Sequence, residues 1–128
     1  MTKRSTIRRR KKGSRSYYDG KATELWSARI LKRNGGLCEV CDKAATQPHH
    51  IIGKKNLTLK HDLRNGCALC FTHHLGGNLS AHNDSMWFMN WLHENREADY
   101  NYLFGKQKEL SYKVDYQEII DKLKENHE

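Results

Sequence analysis

Eight histidines and four cysteines are the residues of this 128-residue chain best able to hold a metal or move a proton. Cys38-Glu39-Val40-Cys41 and Cys67-Ala68-Leu69-Cys70 form two Cys-x-x-Cys pairs with 25 residues between them. Such a turn presents two thiols to one point, and a second short-spaced pair closes a tetrahedral zinc site. Four unrelated buried thiols are the plain alternative, and two such pairs in so short a chain argue against it. Spacing leaves the fourth ligand open. Cys70-Phe71-Thr72-His73 offers a Cys-x-x-His pair that competes with Cys67-x-x-Cys70, and either can meet Cys38 and Cys41. A closed zinc site contributes on the order of 10 kcal/mol to the folding of a small domain.

The histidines raise a second question. His49-His50 follows the first cysteine pair, and His73-His74 follows the second. Neighbours on a strand point to opposite faces, so His49 and His50 are expected to take different roles. One can bind a metal while the other serves as a base near neutral pH. A lone histidine is usually structural, but two doublets beside a zinc pair point to a second, metal-dependent site.

Several elements must position these residues. Lys21 to Asn34 reads as a helix, with Ala22, Leu25, Trp26 and Ile30 on one face, entered through an Asp19-Gly20 turn and ended by Asn34-Gly35-Gly36. Gln47 to Ile52 reads as a short strand, with Pro48 restricting it to an edge or a strand start. Gly53 to Arg64 reads as a polar loop, Asn65 to Leu69 as a second strand or turn, and Cys70 to Leu75 as a helical segment stopped by Gly76-Gly77. Ser85 to Asn95 reads as a helix whose Trp87, Phe88 and Trp91 are spaced for core packing. Val114 to Asn126 reads as an amphipathic helix whose apolar face docks within the chain or against a second copy, which leaves a homodimer open.

Charge divides the chain unevenly. The net charge is +8, from 23 Lys plus Arg against 15 Asp plus Glu. Residues 1–18 hold Lys3, Arg4, Arg8, Arg9, Arg10, Lys11, Lys12 and Arg15 with no carboxylate before Asp19, so the remaining chain is balanced. Such a segment cannot bury enough apolar surface to order itself. It is expected to be a disordered arm lying along nucleic-acid phosphates, with Arg8, Arg9, Arg10, Lys11, Lys12 and Arg15 making the contacts. A solubilising tail is the plainer reading. Residues 19–128 are then one domain. No apolar run spans a bilayer and no apolar stretch follows the N-terminal charges, so a cytoplasmic location is expected and no membrane partner.

The order Cys38-x-x-Cys41, His49-His50-Ile51-Ile52, Asn65, Leu69-Cys70-x-x-His73-His74 resembles the HNH endonucleases over roughly residues 37–82. The stretch from Asp62-Leu63-Arg64-Asn65 to Ser80-Ala81-His82 is most similar to small phage-type members. The resemblance implies an α+β, mostly helical fold: a ββα-metal (His-Me finger) core stapled by a structural zinc and flanked by N- and C-terminal helices, the latter within 83–128. It implies that His50 is the general base and that Asn65 pins the loop that orients it. His49 and His74 become ligands of a catalytic divalent ion (Mg²⁺, Mn²⁺, Ni²⁺ or Zn²⁺). The position four residues after His74 is Asn78, and His82 can fill the same coordination site. It makes Cys38, Cys41, Cys70 and His73 the zinc ligands, with Cys67 as the alternative.

The implied activity is hydrolysis of double-stranded DNA to 5′-phosphate and 3′-hydroxyl ends, in a bacterium or phage-infected host and beside other phage proteins. A zinc-ribbon module that binds nucleic acid and cuts nothing is the second reading. It accounts for the cysteines and the arm but leaves His49, His50, Asn65 and His74 unused.

Overall fold

Helix α1 (Arg15–Arg33) begins where Ser14 caps it, its hydroxyl accepting from Tyr17 N at 3.1 Å. It ends at Asn34, where Gly35 and Gly36 both take positive φ. In this computed structural model, residues 13–109 and 113–125 are described. The early start of α1 corrects two expectations. Asp19 and Gly20 lie inside the helix rather than in a turn, and Arg15 to Tyr18 are helical rather than part of an arm ending at 18. The hydroxyl cap outweighs the helix cost of Gly20, about 1 kcal/mol. Arg8, Arg9, Arg10, Lys11 and Lys12 lie outside the described residues.

The chain then forms β1 (Gln47–His50) and β2 (Gly66–Leu69), a two-stranded antiparallel sheet pairing Gln47 with Leu69, Pro48 with Ala68, His49 with Cys67 and His50 with Gly66. Pro48 fits because its partner Ala68 turns its backbone the other way: Ala68 O accepts from Glu39 N at 2.9 Å and Ala68 N donates to the Glu39 carboxylate at 2.8 Å. Gly66 lets α1 approach β2, since a Cβ there would lie 2.3 Å from Ile30 Cδ1 and 2.9 Å from a Trp26 ring carbon. A short 3₁₀ turn (Leu63–Asn65) precedes β2. A wide turn (Thr72–Gly76) follows it, closed by Gly77 N donating to Thr72 O at 2.8 Å.

Helices α2 (Ser85–Asn95), α3 (Glu97–Lys106) and α4 (Tyr116–Lys124) complete the fold, which is mixed α/β and about half helical. The bounds of α2 agree with those read from its spacing, and Asp84 caps it. Helix α3 was not expected within the C-terminal extension, because only Leu103 of its residues is buried and its apolar pattern is weak. The apolar face of α4 is used inside the chain: Ile120 and Leu123 join Ala22, Trp26, Ile30 and Ala68 in one core cluster. A second cluster on the other side of the sheet holds Cys38, Cys67, Leu69, Cys70, Ala81 and Phe88. Among the described residues, no helix is long and apolar enough to cross a membrane.

Candidate metal centres and the histidine cleft

Alternation along β1 separates the histidine doublet. His50 faces α1 with Pro48, and its ring stacks on Trp26 at 4.0 Å between centroids and 13° between planes. His49 faces the other cluster with Gln47, its ring 5.1 Å from His74, 5.0 Å from His82 and 5.1 Å from Phe88. Both rings nonetheless border one cleft of about 340 Å³, shared with Thr23, Trp26, Lys54, His74 and His82. One strand end thus presents two imidazoles to the same space from opposite faces.

The first metal-ligating group is Cys38, Cys41, Cys70 and His73, whose ligand atoms all lie within 4.8 Å of one another. Cys41 Sγ is 3.7 Å from Cys70 Sγ, and Cys70 Sγ is 3.4 Å from His73 Nδ1. Zinc–sulfur bonds of about 2.3 Å at tetrahedral angles put neighbouring sulfurs about 3.8 Å apart, and a zinc–imidazole bond of about 2.0–2.1 Å puts sulfur and nitrogen about 3.6 Å apart. The cluster is therefore compatible with a structural metal such as zinc. Burial alone would raise the Cys70 thiol, but hydrogen bonds from the His73 backbone and ring, Cys41 and Cys38 outweigh it and bring it down to about 7. A thiolate is the form that binds metal.

Of the two candidates for the fourth position, His73 is the one brought to the cluster. Cys67 is fully buried beside the cluster and its ligand atom is not among the four that converge. Its partner across the sheet is His49, and it packs with Leu69 and Phe88 in the same buried cluster as Cys38 and Cys70 without its thiol joining the four ligand atoms. Burial, and then Glu39, push its thiol well up, which suits a small apolar filler.

The turn carrying Cys38 and Cys41 is closed by Asp42 N donating to Cys38 O at 3.0 Å, with Asp42 itself at φ +62°. Glu39 locks this turn to the rest of the fold. Its carboxylate pairs with Arg33 at 3.3 Å and Arg96 at 3.2 Å while accepting from Ala68 N. Both arginines also donate to Gly66 O, at 2.6 and 2.9 Å. Sequence reading passed over Glu39, and its place between two cysteines was the available signal.

The second group is His49, His74 and His82, again with ligand atoms within 4.8 Å, and these three could hold a metal ion. His74 Nε2 and His82 Nε2 are 3.1 Å apart. The loop after the wide turn folds back to bring His82 there, through Ala81 N to His73 O at 2.8 Å and His82 N to His74 O at 3.1 Å. Asn83 secures it, donating to Leu75 O and Gly77 O at 2.7 and 2.8 Å. Burial, and then His74, His82 and His50, push His49 down to about 3, while burial and His82 lower His74. Both rings are thus neutral lone-pair donors at ordinary pH.

Gln47 was not anticipated. Its carboxamide oxygen lies 2.6 Å from His74 Nδ1, which sets Nδ1 as the protonated nitrogen and leaves Nε2 bare toward His82. Its position two residues before His49, on the same strand face, was the sequence signal.

Asn65 is fully buried and ties the loop between the strands. Its oxygen accepts from Ile52 N at 2.7 Å, and its amide donates to Ile52 O and Leu59 O, each at 3.0 Å. The loop so held brings Lys60 O to 3.0 Å from His50 Nε2. A carbonyl only accepts, so Nε2 carries the proton and Nδ1 keeps its lone pair. Burial lowers the His50 pKa against the raising effect of this bond, and Lys54 and Lys60 lower it further. Trp87, Phe88 and Trp91 are used in packing: Trp87 stacks on His73 at 6.0 Å and Phe88 stacks on Trp91 at 5.8 Å.

Comparison with family models, curated proteins and solved structures finds no match to this chain, so the residues themselves carry the functional reading.

Proposed function

We propose that the chain is a metal-dependent DNA endonuclease of the HNH class, with a ββα-metal core formed by β1, β2 and the turn at Thr72–Gly76. The observation that carries this reading is the cleft where His49, His74 and His82 converge beside His50, whose Nδ1 is bare. A binding module has no need of a neutral imidazole held in one tautomer next to a three-histidine cluster.

In this reading Cys38, Cys41, Cys70 and His73 hold a structural zinc, and His49, His74 and His82 hold the catalytic divalent ion. That ion, when bound, supplies positive charge to the phosphate oxygens and the leaving 3′ oxygen as negative charge develops. His50 Nδ1 takes a proton from a water aligned with the scissile phosphorus, while the Lys60 carbonyl keeps the ring in the reactive tautomer. Asn65 holds the loop that carries this carbonyl. Gln47 orients His74. The products carry 5′-phosphate and 3′-hydroxyl ends. Lys54, at the cleft, and the basic residues before Gly13 neutralise phosphates of double-stranded DNA. The enzyme acts in the cytoplasm of a bacterium or phage-infected host.

The test is supercoiled-plasmid cleavage with Mg²⁺, Mn²⁺, Ni²⁺ or Zn²⁺, comparing wild type with His50→Ala at equal zinc content. Metal-dependent nicking or linearisation reduced roughly 10²–10⁴-fold in the variant is expected for loss of a general base. DNA binding without cutting by either protein in any metal would transfer the reading to a zinc-ribbon binding module.

A further inference from the structure

The metal-ligating and proton-accepting residues all lie in 38–82, yet the surroundings of His50 are built by helix α1. Asp19, Thr23 and Trp26 recur at i, i+4 and i+7, so they share one helix face. Trp26 is fully buried, and its indole N–H donates to Asp62 O at 2.9 Å, which fixes the plane of the ring on which His50 stacks. Thr23 donates to Asp19 O at 2.9 Å and lies 2.9 Å from His61 Nε2. The Asp19 carboxylate takes Lys60 Nζ at 2.8 Å and the Tyr116 hydroxyl at 3.3 Å. Lys60 and His61 are thus both fastened to α1 by their side chains, and Lys60 supplies the carbonyl that His50 Nε2 meets.

Two restraints of different kind therefore converge on one imidazole. The indole face confines the ring to a single plane. The carbonyl selects which nitrogen carries the proton. Either alone leaves a freedom that the other removes: a stacked ring can still turn over within its plane, and a hydrogen-bonded ring can still tilt about the bond.

We propose that α1 is a clamp for His50, with Trp26 as the positioning residue on the ring face and the Asp19–Lys60 pair as the anchor behind the acceptor carbonyl. The inference rests on the reading of His50 as the general base, but the clamp itself is a structural property that can be read without cleavage. Neither Trp26 nor Asp19 reaches the reacting atoms; both act through His50.

The experiment uses the full zinc-loaded chain with ¹⁵N-labelled histidine, in wild type, Trp26→Leu and Trp26→Phe. Wild type is expected to show a single His50 tautomer, protonated at Nε2. Trp26→Leu keeps apolar volume without an aromatic face and lets the ring tilt off the Lys60 carbonyl, so it is expected to give mixed tautomers and a kcat about 10- to 10²-fold lower with KM unchanged, the scale of a small misplacement of a reacting group. Trp26→Phe restores a face and should return the single tautomer and most of the rate. Should Trp26→Leu lose its zinc, Lys60→Met is read in its place by the same criteria. An unchanged tautomer and an unchanged rate in the zinc-loaded variant would overturn the clamp. If the tautomer shifts but wild type cuts nothing, the clamp stands and the nuclease reading falls; if wild type cuts and the variants match it in both readouts, the reverse holds.

Discussion

His73 and His74 are adjacent in the chain, yet their rings serve different clusters. His73 turns Nδ1 to Cys70 Sγ at 3.4 Å, while His74 turns Nε2 to His82 at 3.1 Å and Nδ1 to Gln47 at 2.6 Å. The wide turn at Thr72–Gly76 makes this divergence, and α2 backs both sides of it with consecutive residues, Trp87 against His73 and Phe88 against His49. A metal held at the cysteines would therefore also fix where the three-histidine cluster forms.

This linkage gives the first prediction. Cys38→Ala should lose the bound zinc and unfold at room temperature, since a metal contribution on the order of 10 kcal/mol is as large as the whole stability of a typical small domain. Cys67→Ala should keep one zinc per chain and lose only about 1–2 kcal/mol from a small packing defect. Zinc content by elemental analysis and thermal melts decide the matter. Zinc loss in Cys67→Ala would restore it as a ligand.

Gln47→Ala leaves the four-ligand cluster untouched and frees His74 Nδ1. Affinity for Mn²⁺ or Ni²⁺, measured by titration calorimetry on zinc-loaded protein, should fall about 10- to 100-fold, the usual effect of losing a partner that orients a ligand histidine. Equal affinity would remove Gln47 from the site.

Acid sensitivity follows from buried groups away from the metal ligands. Burial, and then Lys60 and His50, push His61 down to about 4 against the raising effect of Asp19. The unfolded chain takes up that proton near pH 6.5, so the contribution of His61 is complete above pH 6.5 and lost as pH falls toward 4. Burial alone would raise Asp19 and Asp99, but Lys60 for the first and Arg64 with Arg96 for the second hold them below the usual carboxylate range. Their contributions are lost at still lower pH, as the carboxylates are protonated. The melting temperature should therefore fall from pH 6.5 to 4 more steeply in wild type than in His61→Gln. Parallel curves would count against the burial of a neutral His61.

The basic residues before Gly13 are predicted to bind phosphates. Deleting residues 2–12 removes seven cations and preserves the Ser14 cap of α1. DNA affinity should weaken and the slope of log K against log salt should become shallower, by about 0.9 for each phosphate that is no longer neutralised. A fluorescence-anisotropy titration at several salt concentrations measures it, and an unchanged slope would leave these residues without a role in binding.

Residue type and spacing point to a zinc site at the cysteines with its fourth ligand open, and the resemblance to HNH endonucleases names His49, His74 and His82 as a second set. Cys38, Cys41, Cys70 and His73 come together, as ligands three residues apart sharing a turn, and His49, His74 and His82 come together because the loop after Thr72–Gly76 folds back on it. Helix α2 was legible to its ends because its cap and apolar spacing agree. The start of α1 was misplaced because Asp19-Gly20 carries a turn signal that the Ser14 cap overrides.

Other decisions needed the third dimension. The choice of His73 over Cys67 depends on which ligand atom the turn at Thr72–Gly76 and the strand β2 bring to Cys38 and Cys41, and Cys-x-x-Cys spacing is blind to that. The roles of Trp26, Glu39 and Gln47 depend on partners 24, 29 and 27 positions away in the chain, at His50, Ala68 and His74. Local sequence determines which side chains can bind a proton or a metal. Tertiary contacts around a sheet of two four-residue strands, Lys60 O at His50 and Gln47 at His74, determine which nitrogen of each ring is left free to do so.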